Sequence, residues 1–230
     1  MKQNTKIIII ITVLVIIASL ILIDYTQNQK IAPYEMIGNN SLGTVERIVY
    51  GNENATFTIS IITGIHPREK LAIGPEIKSA KEYGQVHDNV RIVHYQVNVT
   101  QDPQDYEKGR ANGESLVHDF VNKDIGKTHS KAVIISHSHM EGYGEGFYLA
   151  TPEMDNPSVS IAEKISKNSD FNYYPRTGNE SYKSTSAVLV SKPIAQAGNP
   201  TFVYEIPENI TKADSTNKTY ELFDLMVKYA

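Results

Sequence analysis

The chain contains no cysteine. That excludes disulfide staples, thiol nucleophiles and any thiolate-ligated zinc site. It leaves an extracellular location open, because a domain of this size buries an adequate core without cross-links. Basic blocks are also missing. A net charge of −4 spread over 230 residues gives no electrostatic footprint for nucleic acid, which is excluded as an expected partner. No internal repeat is present, and there is no low-complexity tract beyond one apolar run near the N-terminus.

That run covers Ile7 to Ile23, seventeen almost wholly apolar positions preceded by Lys2 and Lys6. A helix rising ~1.5 Å per residue would extend about 25 Å here, slightly short of a ~30 Å hydrocarbon core but workable with flanking residues. The leading lysines favour a cytoplasmic tail over residues 1–6. The expectation is therefore a single-pass anchor in the cell membrane over 7–23, in contact with the lipid bilayer, with the remainder outside. A cleaved signal peptide is the alternative. Its apolar region usually runs about 7–15 residues, and no small-x-small pattern follows Ile23. Residues 24–44 are polar and aperiodic and read as a stalk, which leaves 45–230 as one domain. Six Asn-x-Ser/Thr sequons start at Asn39, Asn54, Asn98, Asn179, Asn209 and Asn217. On an exported domain these are candidate glycan sites.

Within the domain, Val45–Tyr50 and Phe57–Ile62 read as two strands about a Gly-Asn-Glu-Asn turn, a hairpin-like signal. Apolar spacing predicts a helix over Pro67–Tyr83, with Leu71, Ile73, Ile77 and Ala80 near one face. Val90–Val99 alternates as a strand, and Arg110–Asn122 carries Leu116, Val117, Phe120 and Val121 at helical spacing. A strand at Ala132–Ile135 leads to a glycine-rich loop over Met140–Gly146. A helix at Val159–Lys167, short strands at Ala187–Ser191 and Thr201–Pro207, and a closing helix at Thr219–Tyr229 complete the pattern. Strands alternating with helices indicate an α/β layered sheet.

Chemistry-bearing residues gather at three strand ends. After Phe57–Ile62 comes Thr63-Gly64-Ile65-His66-Pro67-Arg68-Glu69, which places an imidazole and a carboxylate three residues apart. On a helix such residues share a face and can reach one ion, and Pro67 suits a first helical turn. After Ala132–Ile135 come Ser136-His137-Ser138-His139, where His137 and His139 compete as ligand. Glu205 closes the run Thr201-Phe202-Val203-Tyr204. Open α/β sheets bind ligands beyond the carboxyl ends of their strands. A hydrolytic zinc site takes three protein ligands and keeps one position for water, so the three ends fit one active site with one base.

Gly64-Ile65-His66-Pro67-Arg68-Glu69 resembles the Gly-Ile-His-x-Arg-Glu ligand motif of the zinc carboxypeptidases, the carboxypeptidase A type and its deacylase relatives. Ile135-Ser136-His137-Ser138 is similar to the family strand that ends in the third ligand, and Phe202-Val203-Tyr204-Glu205 to the strand that delivers the catalytic glutamate. Order and spacing agree over roughly residues 46–210. The resemblance implies a three-layer α/β/α fold with a mixed, mainly parallel sheet. It implies one Zn²⁺ on His66, Glu69 and His137, with Glu205 as general base acting on a peptide or acylated amine. Arg110 is the candidate to polarise the scissile carbonyl. Tyr182 is the candidate for the family's mobile tyrosine, with Tyr173 and Tyr174 nearby. The Asn-Arg pair that grips a substrate's terminal carboxylate in this family is absent.

Two other readings stand beside this one. The run His137-Ser138-His139-Met140-Glu141-Gly142 partly matches the His-x-His-x-Asp-His pattern of dinuclear metal hydrolases, but lacks its last ligand. A surface domain that kept the fold without productive metal binding would serve as a peptide-binding or adhesive module, since function belongs to sites rather than folds.

Overall fold

The structure is a computed structural model that describes residues 11–19, 32–175 and 185–230. The chain divides into two compact units, Met1–Ala32 and Pro33–Ala230. In the first, residues 11–19 are helical and exposed. Among the described residues no helix is long and apolar enough to cross a membrane. The expected 7–23 span is thus represented only by this nine-residue helix, its other positions lying outside the described residues.

The second unit is built on an eight-stranded mixed sheet in the order β1-β2-β4-β3-β5-β8-β6-β7. The strands are β1 (Tyr34–Asn40), β2 (Gly43–Gly51), β3 (Phe57–Thr63), β4 (Val90–Val99), β5 (Ala132–His139), β6 (Tyr148–Thr151), β7 (Asn172–Pro175) and β8 (Thr201–Pro207). The centre, β4-β3-β5-β8, is parallel, whereas β1-β2, β2-β4 and β8-β6 are antiparallel. The helices are α1 (Gly74–Val86), α2 (Tyr106–Leu116), α3 (Asn122–Ile125), α4 (Asn156–Asn168), α5 (Lys192–Gln196) and α6 (Lys212–Tyr229). Single π turns at Val117–Val121 and Ala187–Ser191 lead into α3 and α5.

Strand alternation sorts the core into two layers. On one face Ile62, Val93, Tyr95, Val97, Val133 and Ile135 pack against Leu116, Val117, Val121, Ile125, Val190 and Ile194. On the other, α1 and α6 close over the sheet, with the Tyr83 ring 4.9 Å from Tyr220 and 5.4 Å from Phe223. Helices on both faces of a largely parallel sheet leave its central strands no wet side, so those strands read as continuous apolar runs. β3 is buried at six of its seven positions, and β5 at all eight.

Several sequence expectations change here. The hairpin of β2 with β3 does not form. β4 lies between them, antiparallel to β2 and parallel to β3. A strand buried on both faces needs a central place, and β2, with mostly half-buried positions, takes an outer one. The expected stalk over 24–44 contains β1, which pairs along β2 from Tyr34↔Ile48 to Asn40↔Gly43. Its polar side chains face water from an edge strand, which removes the apolar alternation that would have marked it. The helix expected over Pro67–Tyr83 is a turn through His66–Glu69, a 3₁₀ turn at Lys70–Ala72, and α1 beginning only at Gly74. Ile73, at φ −126° and ψ −81°, interrupts the helix, and Pro75 restarts it in a first turn, where proline is accepted.

Ala187–Ser191, expected as a strand, is the π turn before α5. Ala187, Val190, Ser191, Ile194 and Ala195 are buried, a helical spacing that a five-residue window could not distinguish from a buried strand. β5 runs on through His139, so the histidines sit within the strand rather than past its end. Asn39, Asn98 and Asn217 lie inside β1, β4 and α6 rather than in turns, and Asn179 falls outside the described residues.

Candidate active site

The carboxyl ends of β3, β5 and β8 open into a cavity of about 350 Å³. His66 follows β3 after Gly64, whose φ is +80°, and a Cβ there would stand 2.1 Å from the Val97 carbonyl oxygen. Only glycine tolerates both the dihedral and the contact. The His66 carbonyl accepts from the Glu69 N–H at 3.1 Å, so one tight turn, rather than a helix, brings imidazole and carboxylate together. α2 seats against this turn through Gly113, where a Cβ would meet the Ile65 carbonyl oxygen at 1.8 Å. Asp105 caps α2 by accepting from the Glu107 and Lys108 N–H groups at 3.1 and 2.9 Å. Tyr106, Arg110 and Glu114, four apart and hence stacked on one helix face, all line the cavity.

Glu69 is the hub. Its Oε1 lies 2.8 Å from His66 Nδ1 and accepts from Arg110 Nη1 at 2.8 Å. Its Oε2 lies 3.0 Å from His137 Nδ1 and accepts from the Ser138 N–H at 3.2 Å. Burial by itself would raise the pKa of this carboxyl. The His137 and His66 rings outweigh burial and hold the group well below the usual carboxylate range. Beyond His66, Nε2 stands 3.2 Å from Glu114 Oε1. Burial disfavours the charged ring, but the Glu114 and Glu69 carboxylates raise the His66 pKa above its ordinary value.

One donor atom each from His66, Glu69 and His137 can be chosen so that all lie within 4.8 Å of one another. Two imidazoles and a carboxylate at that separation form a borderline-soft donor set suited to zinc. Without an ion, the same groups satisfy one another. Glu205 lines the cavity and is 6% exposed. It stands opposite His137 in the parallel register of β5 and β8, which puts both side chains at one level of the sheet. Arg110 reaches the cavity as expected, though bonded to Glu69, with its guanidinium 5.2 Å from the Tyr106 ring centroid. Tyr182 lies outside the described residues.

His139 does not join the cluster of His66, Glu69 and His137. Its Nδ1 and Nε2 lie 3.2 and 3.0 Å from the carbonyl oxygens of Met140 and Gly146, so both ring nitrogens face acceptors. The dinuclear reading loses its second histidine there. Sequence reasoning assigned no role to Glu114 or Tyr106. The one signal for them was the four-residue spacing of each from Arg110, and that of Tyr106 was hidden while the helix was expected to begin at Arg110.

No protein-family model matches the sequence, and no curated protein does so. Solved structures are similar in fold. A metallo-carboxypeptidase from Burkholderia cenocepacia is 15% identical at a TM-score of 0.57, over 90% of this chain and 68% of that one. A protein from Burkholderia mallei assigned as a carboxypeptidase is 13% identical at 0.57, over 89% and 66%. The tripeptide-bound cell shape determinant Csd4 of Helicobacter pylori is 10% identical at 0.51, over 80% and 55%. The chain spans about two thirds of the first two proteins and just over half of the third. It has a zinc carboxypeptidase-like fold.

Proposed function

We propose that the chain is a zinc-dependent hydrolase of peptide or amide bonds, of the metallocarboxypeptidase type. The observation that carries this reading is the convergence of His66, Glu69 and His137 donor atoms within 4.8 Å in a cavity that Glu205 also lines. His66, Glu69 and His137 would hold zinc, which when bound would supply a Lewis acid able to activate water near neutral pH. Glu205, buried at the sheet edge of the cavity, takes the proton of the attacking water and returns it to the leaving amine. Arg110, steadied on the Tyr106 ring, turns toward the carbonyl oxygen where negative charge develops. The fold similarity to a tripeptide-bound protein supports a peptide as the substrate form. An outward-facing location rests only on the apolar run 7–23 and the lysines before it, and protease accessibility in intact cells tests that part.

The first measurement is zinc content per chain of protein purified without chelator, paired with the Glu205→Gln variant. About one tightly held zinc is expected. The variant should keep it while losing at least ~100-fold in turnover. Undiminished turnover in Glu205→Gln would remove Glu205 as base. Failure to bind zinc after reconstitution would leave a peptide-binding module on the same fold.

A further inference from the structure

Tyr106, the first residue of α2, lines the cavity yet is 57% exposed. A ring so open to water adds little to the core. Two guanidinium groups lie over it instead, Arg110 Cζ at 5.2 Å and Arg68 Cζ at 5.7 Å from the centroid. Both fall within the ~6 Å at which the quadrupole of an aromatic ring attracts a cation. The Arg110 contact is dictated by the helix, since residues four apart share a face. Arg68 comes from the turn that carries His66 and Glu69, so the ring spans the gap between that turn and α2. The helix itself is seated closely there. A Cβ on Gly109 would stand 3.1 Å from Pro67 Cγ and 3.1 Å from the Asp102 carbonyl oxygen.

Arg110 needs a second support. Among the described residues its one hydrogen bond goes to Glu69 Oε1, at 2.8 Å. Glu69 is also one of the three candidate metal ligands. A carboxylate that serves an ion holds an arginine less firmly, because the ion is the larger local charge. The Tyr106 ring acts by a different attraction. Its face draws the guanidinium through the quadrupole rather than through lone pairs, which holds the head group and leaves donors for a ligand.

We infer that Tyr106 is a positioning residue for Arg110, its ring holding the guanidinium at the cavity wall within reach of a substrate carbonyl oxygen. The inference rests on the hydrolase reading and deepens it. Tyr106 touches no reacting atom, and its effect on turnover passes through Arg110. The aromatic face is what matters, so phenylalanine replaces the tyrosine and an aliphatic side chain does not.

The test uses the full chain in mild detergent, reconstituted with zinc, and an N-acetylated tripeptide ending in leucine. Tyr106→Leu should lose ~10-fold in kcat while KM changes by less than ~3-fold, and Tyr106→Phe should keep most of the rate. In an Arg110→Met background, adding Tyr106→Leu should change kcat by less than ~2-fold, because residues that act as a unit are not additive. Thermal melts and zinc content confirm that each variant is folded and loaded, and Tyr106→Met replaces Tyr106→Leu if the latter does not fold. Equal losses in both backgrounds, an undiminished rate in Tyr106→Leu, or a Tyr106→Phe variant as impaired as Tyr106→Leu overturns the inference and leaves the hydrolase reading standing. If wild type cleaves nothing, that reading falls and the Arg110 Nε–H resonance decides, assigned by its loss in Arg110→Met. An upfield ring-current shift present in wild type and Tyr106→Phe but absent in Tyr106→Leu supports the positioning of Arg110. The same resonance position in all three overturns it.

Discussion

His66 lies between two carboxylates: Nδ1 is 2.8 Å from Glu69 and Nε2 is 3.2 Å from Glu114. A carboxylate can only accept, so with a metal on Nδ1 the ring's remaining proton would sit on Nε2 and be donated to Glu114. That bond fixes the tautomer and turns Nδ1 toward the metal position, the usual service of a carboxylate behind a metal-binding histidine. Glu114→Ala should therefore weaken zinc binding by 10–100-fold, measured by competition with a chromogenic chelator. Unchanged affinity in a folded variant would show that Glu114 does not position His66.

The same geometry makes zinc compete with a proton. In the absence of an ion both His66 nitrogens face acceptors, and the ring is held charged to a higher pH than an ordinary imidazole. Zinc binding near neutral pH should release a proton from His66, so calorimetric binding enthalpies should vary with the ionisation enthalpy of the buffer. Affinity should fall as pH drops through the raised His66 pKa. Enthalpies independent of the buffer would contradict this account.

His94 behaves in the opposite way. It is fully buried, its Nε2 is 2.8 Å from Thr63 Oγ1, and desolvation lowers its pKa to about 3. Below ~6.5 the unfolded chain binds a proton at this residue that the folded chain refuses. Stability therefore falls with acidification, by about 1.4 kcal/mol per pH unit from this group until pH approaches 3. Urea unfolding of wild type and His94→Gln between pH 4.5 and 6 isolates the contribution. The variant's pH slope should be shallower by roughly that amount, and equal slopes would show that His94 is protonated in the native state.

Glu76 on α1 carries a fully buried carboxyl. Burial pushes its pKa well above the ordinary value, and the Glu69 charge adds to the rise, while nearby Ser136 opposes it only in part; neither carboxyl oxygen has a hydrogen-bond partner among the described residues. A carboxyl with a raised folded pKa contributes its full stability below ~4.5 and loses it as pH climbs toward the folded value. Glu76→Gln should accordingly melt higher at pH 8, by ~3 °C, roughly 1 kcal/mol for a chain of this size. The gain should vanish near pH 4. A lower melting temperature at pH 8 would mean that the charged form is stabilised in the fold.

Much of the central sheet was legible because β3, β5 and β8 are continuous apolar runs that end in polar, chemically distinctive residues. β1 and β7 were not. Their exposed polar residues, such as Glu35, Asn39 and Tyr174, carry little apolar alternation, and what places them in the sheet is main-chain pairing with β2 and β6. The π turn at Ala187–Ser191 was misread because four apolar residues before a serine fit a buried strand and a buried helix equally well, and only the continuation to Ile194 and Ala195 separates the two.

The residue types and spacing at His66, Glu69, His137 and Glu205 determined by themselves which groups could share a site, since strand ends on one edge of a parallel sheet converge whatever the loops do. Tertiary structure decided how they meet. Glu69 and His66 are joined by a turn closed through Gly64 and pressed by Gly113, and a fourth group, Glu114, arrives from a helix 48 residues further along the chain. Tertiary structure also distinguished His137 from His139, which line the same cavity, because the carbonyl oxygens that face the second ring come from Met140 and Gly146. Which of two equivalent histidines is left able to hold a metal depends on the acceptors folded around each ring, and a linear sequence does not contain that information.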